Sequence, residues 1–182
     1  LKNKVILVTG AGDGIGRAAA ISFARHGATV ILLGRTTEKL EAVYDEIVAA
    51  GDPEPAIFPM NMQGASQTDY EQLAEALENA FGKLDGLLHN ASLLGQRRTL
   101  AQTTLDSWQD VLQVNVTGAF LMTQALLPLL AAADGASLVF TSSSVGRKGR
   151  AFWGAYSVSK FAKLETDDLS NLANLMHCRP KF

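Results

Sequence analysis

The stretch VILVTGAGDGIG at residues 5–16 decides the fold of this chain. Its first four residues, Val5-Ile6-Leu7-Val8, form a short apolar run typical of a buried parallel strand. A glycine-rich turn follows, and a helical stretch runs from Arg17 to Arg25. Glycines let backbone approach a pyrophosphate, and a helix N-terminus supplies free N–H groups and partial positive charge. The stretch therefore predicts a phosphate-binding turn rather than a plain connection between strand and helix.

The glycine spacing narrows this interpretation. The six-residue dinucleotide fingerprint does not fit when counted from Gly10, because its sixth position is Ile15. The pattern that fits is Thr-Gly-x-x-x-Gly-x-Gly, which Thr9, Gly10, Gly14 and Gly16 satisfy. This spacing also separates the chain from the longer epimerase-type dinucleotide-binding proteins.

A second feature lies near the other end of the sequence, in Tyr156-Ser157-Val158-Ser159-Lys160. Residues four apart on a helix share a face, so the phenol of Tyr156 and the ammonium of Lys160 are expected to be neighbours. A nearby ammonium favours a phenolate, which allows proton transfer near neutral pH. By itself the spacing favours a surface pair on an amphipathic helix, and the glycine turn is the evidence that favours a site instead.

Strand and helix patterns alternate along the whole chain without internal repeats. The predicted strands are Val5–Thr9, Thr29–Leu33, Ala56–Met60, Gly86–His89 and Leu138–Thr141. The predicted helices are Ile15–His26, Thr37–Ala50, Gln67–Phe81, Leu105–Leu130 and a last one from about Ala155 onward. This alternation predicts an α/β fold with a doubly wound parallel sheet in three α/β/α layers. At 182 residues the chain is expected to be one dinucleotide-binding domain, residues 1–182.

Across residues 4–162 the sequence resembles the short-chain dehydrogenase/reductase family. Besides the glycine turn and the Tyr-Lys pair, Asn90-Ala91 in the stretch Leu87-Leu88-His89-Asn90-Ala91 stands where the family has Asn-Ala-Gly after its fourth strand. Asn115 matches the family's asparagine in the long fourth helix, and Ser143, thirteen residues before Tyr156, matches its serine. The resemblance implies a Rossmann-like sheet of order 3-2-1-4-5, with the family's later strands missing here.

The resemblance also implies hydride transfer between a nicotinamide cofactor and a carbonyl or alcohol substrate. Tyr156 would be the general acid/base, and Lys160 would favour its phenolate and bind the nicotinamide ribose. Ser143 would polarise the substrate oxygen, and Asn115 would anchor a water that relays protons from Lys160. The alternative is a non-catalytic nucleotide-binding or interaction protein that keeps the fold.

The implied cofactor-binding set combines the glycine turn with the ends of the strands. It comprises Thr9, Gly10, Asp13, Gly14, Ile15, Gly16, Arg35, Thr36, Asn61, Met62, Asn90, Ala91, Tyr156 and Lys160.

The end of the second strand predicts the choice of cofactor. NAD-binding proteins carry an acidic residue there, whereas this chain has Arg35 and Thr36. A guanidinium binds a 2′-phosphate through two hydrogen bonds, so NADP is favoured, with NAD as the alternative. Asp13 argues against NADP, because NADP-dependent relatives often have a basic residue at that position. Asn61 could accept a hydrogen bond from the adenine amine.

Two positions depart from the family pattern. Ser92 replaces the glycine expected after Ala91, and His89 replaces the commoner asparagine before Asn90. The three histidines show no spacing that suggests a metal site.

Composition limits the remaining functions. The net charge of −2 argues against a nucleic-acid binder. The apolar stretch Ala119–Ala133 contains Thr123, Gln124 and Pro128 and is shorter than a membrane span, so a buried helix or an oligomer interface is expected instead. One cysteine, Cys178, and an N-terminus that enters a strand at once predict a cytoplasmic protein without signal peptide. The resemblance implies a homodimer or homotetramer in the full-length form.

The tail at residues 163–182 departs from the family. Glu165 to Asp168 replaces a normally apolar helix face, and the sixth and seventh strands do not follow. Truncation, a changed reading frame and omitted stretches all fit this pattern. The fifth strand would then form the edge of the sheet, with unpaired backbone groups.

Overall fold

The computed structural model of the chain describes residues 1–166, with side chains described through residue 162. Its centre is one parallel sheet with the order β3-β2-β1-β4-β5, which confirms the predicted order. The strands are β1 (Val5–Thr9), β2 (Thr29–Gly34), β3 (Ala56–Pro59), β4 (Gly86–His89) and β5 (Ser137–Phe140). The remainder of the tail, from Asp167 onward, lies outside the described residues.

Six α-helices and three short helical turns surround or connect the strands in the described part of the chain. The helices are α1 (Gly14–Arg25), α2 (Thr37–Ala49), α3 (Gln67–Phe81), α4 (Leu105–Leu112), α5 (Gly118–Ala131) and α6 (Gly154–Thr166). The turns are a π-helical turn at Gln113–Thr117 and 3₁₀ turns at Leu100–Gln102 and Ser144–Gly146.

Side chains of the central strand alternate between two cores, as the pleat of a strand requires. Leu7 of β1 points into the core that contains α3 and α5, where Tyr70 and Met122 are fully buried. Ile6 and Val8 point into the opposite core, which α1 and α2 cover. Helices therefore cover both faces of the sheet, and the predicted three-layer α/β/α architecture is confirmed.

The fourth predicted helix is wrong in one respect. The sequence predicts one helix over Leu105–Leu130, but the π-helical turn at Gln113–Thr117 divides it. Within this turn the N–H of Gly118 donates to the carbonyl oxygen of Gln113, a span of five residues. Hydrophobic periodicity does not reveal one additional residue in a helix, so the divided helix appears only in the structure.

The helical stretch Leu105–Ala131 has the length and mean hydropathy, 1.5, of a membrane span. The core helix of an α/β protein passes the same test, so one such helix is weak evidence. Met122, Leu126, Leu129 and Leu130 are buried against the sheet and α3. The expected buried helix is therefore present here.

Strand β5 lies at the edge of the described sheet. Within residues 1–166 it pairs only with β4, and Val139 at its centre is 52% exposed. Within the described residues β5 is therefore an edge strand, as expected from the sequence.

Candidate active site

The glycine turn packs so tightly that two of its positions require glycine. Gly10 has a φ of +68°, in the left-handed region that side chains with a Cβ rarely adopt. A Cβ on Gly16 would lie 2.5 Å from the Asn90 side-chain nitrogen, and closer still to the carbonyl oxygen of Gly10. The start of α1 is therefore pressed against the end of β1, as a backbone cradle for phosphate requires.

Thr9 joins this turn to the end of β4. Its hydroxyl oxygen accepts hydrogen bonds from the backbone N–H groups of Asn90 and Ala91, both at 2.9 Å. The Asn90 side chain donates to the Thr9 carbonyl oxygen and accepts from the hydroxyl of Thr141, at 3.2 and 3.3 Å. Thr9 and Asn90 thus hold the ends of β1, β4 and β5 together beneath the turn.

A cleft of about 280 Å³ lies at the carboxyl ends of the strands. Seven of the predicted cofactor-binding residues line it, namely Gly10, Asp13, Arg35, Thr36, Asn61, Met62 and Ala91. Seven others do not line it, namely Thr9, Gly14, Ile15, Gly16, Asn90, Tyr156 and Lys160. The cleft therefore includes the predicted cofactor-binding residues that follow β2 and β3, but not the Tyr-Lys pair on α6.

Arg35 and Thr36 are available to a ligand at one end of this cleft. Arg35 is exposed and forms no hydrogen bond or ion pair within the described residues. Thr36 precedes α2 without using its hydroxyl as a helix cap. Asn61 accepts a hydrogen bond from the Gln63 backbone at 3.3 Å, which leaves a second lone pair on its oxygen.

Asp13, the residue that argues against NADP, has a partner that sequence reasoning missed. One carboxylate oxygen accepts the Gly14 N–H at 2.8 Å, and the other lies 2.5 Å from the Lys39 ammonium. The hydrogen bond from Lys39, and then that from Gly14, lowers the pKa of Asp13. Lys39 also lines the cleft, and its place four residues after Arg35 was the signal that could have identified it.

Helix α6 carries the Tyr-Lys pair as predicted. The Lys160 ammonium lies 5.2 Å from the centre of the Tyr156 ring and donates to the Thr141 carbonyl oxygen at 3.0 Å. Lys160 is 1% exposed, and burial lowers its pKa to about 8. Such an ammonium can lose its proton close to neutral pH.

Ser143 is placed by the turn that follows β5. This 3₁₀ turn packs on α6: the hydroxyl of Ser157 donates to the Val145 carbonyl oxygen at 2.7 Å. A Cβ on Gly146 would lie 2.7 Å from the carbonyl oxygen of Lys160, so only glycine allows this approach. Ser143 is half-buried, and its hydroxyl has no hydrogen bond within the described residues.

Asn115 lies in the π-helical turn and is fully buried. Its side-chain oxygen accepts the N–H of Leu93 at 2.7 Å, and its nitrogen donates to the Leu93 carbonyl oxygen and the Ser159 hydroxyl, both at 2.9 Å. Both N–H groups of the amide are therefore used within the protein. The side chain connects the loop after β4 to α6, next to Lys160.

Trp153 lies between Tyr156 and Arg97 of the loop after β4. Trp153 packs against the Tyr156 ring, with centroids 5.7 Å apart, and the Arg97 guanidinium lies 5.7 Å over the Trp153 ring. His89 points away from the cleft into the core, where its Nε2 lies 2.8 Å from the Thr123 hydroxyl and its ring stacks on Phe140. The substitution at His89 therefore changes core packing rather than the cleft lining.

Comparison with known proteins places this arrangement in a family. The family model described as short chain dehydrogenase matches residues 4–167. This chain belongs to the short chain dehydrogenase family. The resemblance carried by the sequence motifs is therefore confirmed.

Three bacterial proteins illustrate the similarity. The uncharacterized oxidoreductase YciK of Escherichia coli K12 is 52% identical over 162 residues, which are 89% of this chain and 64% of YciK. A short chain dehydrogenase structure from Pseudomonas syringae is 52% identical with a TM-score of 0.89, covering 94% of this chain and 71% of that one. A structure from Escherichia coli CFT073, complexed with NADPH, is 50% identical with a TM-score of 0.88, covering 93% and 72%.

This chain is shorter than the family members it matches. It spans 64% of YciK and 57% of the next curated relative, a short chain dehydrogenase of Monascus ruber. The chain therefore matches only part of the length of these two short chain dehydrogenases.

Proposed function

We propose that this chain is the dinucleotide-binding and catalytic part of an NADP(H)-dependent oxidoreductase, which transfers a hydride between nicotinamide and a carbonyl or alcohol. The observation that carries this proposal is the buried Lys160 beneath Tyr156 on α6, held next to the Ser143 turn at the carboxyl ends of the strands. A solvated surface pair would not bury its ammonium to 1% exposure.

The cleft fits NADP. Gly10 and Gly16 supply a tight backbone turn at the N-terminus of α1, where a pyrophosphate is favoured. The unpaired Arg35 and the free Thr36 hydroxyl suit a 2′-phosphate. The only carboxylate that lines the described cleft, Asp13, is already paired with Lys39. The relative complexed with NADPH supports the same cofactor.

The protein's part in the reaction is to hold and transfer a proton, since NADP(H) supplies or accepts the hydride. In the reducing direction Tyr156 donates its phenolic proton to the carbonyl oxygen, and in the oxidising direction it accepts the alcohol proton. Lys160 uses one N–H on Thr141 and keeps two for a ribose hydroxyl and for the phenolate. Its pKa of about 8 suits a group that passes protons onward.

Ser143 and Asn115 have supporting roles in this proposal. The Ser143 hydroxyl, without a protein partner in the described residues, is available to polarise the substrate oxygen. Asn115 uses both side-chain N–H groups on Leu93 and Ser159, so a water held by this residue would bind the backbone of the π-helical turn. The side chain itself keeps that turn against α6.

Turnover with and without the phenol tests the proposal. The purified chain is mixed with NADPH and a panel of aldehydes, ketones and quinones, and nicotinamide absorbance is followed. Tyr156→Phe should lower turnover by roughly 10²–10⁴-fold, the contribution of a positioned general acid, while cofactor affinity changes little. Equal turnover by the phenylalanine variant would exclude Tyr156 from the mechanism.

The same assay distinguishes the rival function, a non-catalytic nucleotide-binding protein. A folded sample that binds NADPH but reduces none of these carbonyls would favour the rival. The observation that favours this rival function is that the chain spans only 64% of its relative YciK.

We also propose that this protein is cytoplasmic and forms a homodimer or homotetramer. Three large apolar side chains on α5 and α6 are exposed: Phe120 by 60%, Val158 by 47% and Phe161 by 44%. Exposed apolar side chains of this size suit a face between two copies. A single cysteine suits a reducing compartment.

A further inference from the structure

The Asp13–Lys39 ion pair occupies the wall of the cleft beside Arg35. Both side chains are accessible, with 76% of Asp13 and 55% of Lys39 exposed. Exposed ion pairs contribute little to stability, so the fold alone does not explain this one. Its position suggests a role toward whatever occupies the cleft.

Lys39 is held in place by the backbone rather than by the ion pair alone. It is the third residue of α2, and its backbone N–H donates to the Thr36 carbonyl oxygen at 3.2 Å. A Cβ on Gly12 would lie 2.9 Å from the Lys39 Cβ, so the helix directly contacts the glycine turn there. The Lys39 side chain therefore starts from a fixed point at the cleft edge.

The lining of the cleft carries two positive charges and one negative charge. Arg35 and Lys39 are positive and Asp13 is negative, and these are the charged residues that line the described cleft. A phosphate monoester carries about 1.5–2 negative charges at neutral pH. Without Lys39, Asp13 would be an uncompensated carboxylate near Arg35 and would oppose a 2′-phosphate.

We propose that Lys39 is a second cationic determinant of NADP(H) specificity, and that it also offsets the unfavourable negative charge of Asp13 in the cleft wall. Lys39 would neutralise Asp13 and also place a positive charge beside the 2′-phosphate site of Arg35. This inference rests on the proposed use of NADP(H). If Lys39 neutralises Asp13, the presence of this carboxylate in the glycine turn no longer argues against NADP(H).

Calorimetric affinities for NADPH and NADH test the inference. Lys39→Met keeps an unbranched side chain, one atom shorter, and removes its charge. This variant should weaken NADPH binding by about tenfold, the lower end for loss of a charge-assisted hydrogen bond. It should weaken NADH binding by less than about twofold. The matched control is Lys2→Met, because Lys2 is exposed and lies outside the cleft lining; both affinities should be unchanged.

Two further variants separate neutralisation of Asp13 from direct binding. Asp13→Asn can still accept the Gly14 N–H, so the start of α1 is preserved. It should strengthen NADPH binding severalfold. Adding Lys39→Met to Asp13→Asn should cost less NADPH affinity than Lys39→Met alone, because the carboxylate no longer needs neutralising. Lys39→Arg should retain the NADPH preference.

Arg35→Ala separates failure of this inference from failure of the proposed cofactor. If Arg35→Ala loses the preference for NADPH while Lys39→Met keeps it, the proposed use of NADP(H) is retained and the role of Lys39 is overturned. Equal losses for NADPH and NADH in Lys39→Met, with an unchanged melting curve, would also overturn it. A wild-type chain that binds both cofactors equally would overturn the inference and the proposed cofactor together.

Discussion

Replacing Lys160 by methionine should remove a pH dependence from the stability of the fold. Lys160 is 1% exposed, and burial lowers its pKa from 10.5 to about 8. Between these values the unfolded chain binds more protons than the folded chain, so the free energy of unfolding rises with pH. The destabilisation is fully present below about pH 8 and disappears as the pH approaches about 10.5.

The magnitude follows from the two pKa values. Their difference corresponds to about 3 kcal/mol of destabilisation near pH 7, and roughly 2 kcal/mol of this is recovered by about pH 9.5. Methionine removes the charge but leaves the Thr141 carbonyl without its donor, at a cost of about 1–3 kcal/mol. The two effects oppose each other at neutral pH, so the pH dependence is the diagnostic quantity.

Urea unfolding between about pH 7 and pH 9.5 measures this effect. The free energy of unfolding of the wild type should rise by about 2 kcal/mol relative to Lys160→Met over this range. The exposed Lys148 provides the control, since Lys148→Met should follow the wild type at every pH. Parallel curves for wild type and Lys160→Met would refute the argument and would mean that buried Lys160 keeps an ordinary affinity for its proton.

Two other substitutions test how the site is assembled. Gly16→Ala should destabilise the chain by about 1–3 kcal/mol and abolish NADPH binding, because its Cβ would meet Gly10 and Asn90. Thermal melting and calorimetry measure the two effects. Gly51→Ala, at a position with open space around it, should leave NADPH affinity unchanged. Asn115→Ala leaves both backbone groups of Leu93 without partners and should lower the free energy of unfolding by about 2–4 kcal/mol, measured by urea unfolding. An Asn115→Ala variant as stable as the wild type would show that the π-helical turn does not depend on this side chain.

Much of this molecule could be predicted from local pattern. Strands β1 and β4 have the bounds predicted from the sequence, β2 and β3 differ by one residue at one end, and β5 begins and ends one residue earlier than predicted. Apolar runs between turn residues are local signals, and alternation with helices is enough to predict a parallel sheet. The resemblance then supplied the strand order, which the structure confirms.

The contacts at the site could not be predicted in the same way. Lys39 meets Asp13 across 26 positions of sequence, and Asn115 meets Ser159 across 44. No periodicity relates residues so far apart, because their distance depends on how α2 and α6 pack on the sheet. The sequence therefore left Asp13 as an objection to NADP, and the structure shows its charge to be paired.

The sequence by itself determined the α/β class, the glycine turn, and the placing of Tyr156 and Lys160 on one helical face, because each depends on residues within one or two turns of each other. Only the tertiary structure decided that Lys160 is buried against Thr141, that the fourth helix contains a π-helical turn, and that Lys39 neutralises Asp13. Burial and long-range ion pairing are properties of packed elements, and they control the charge of the groups that the sequence can only name.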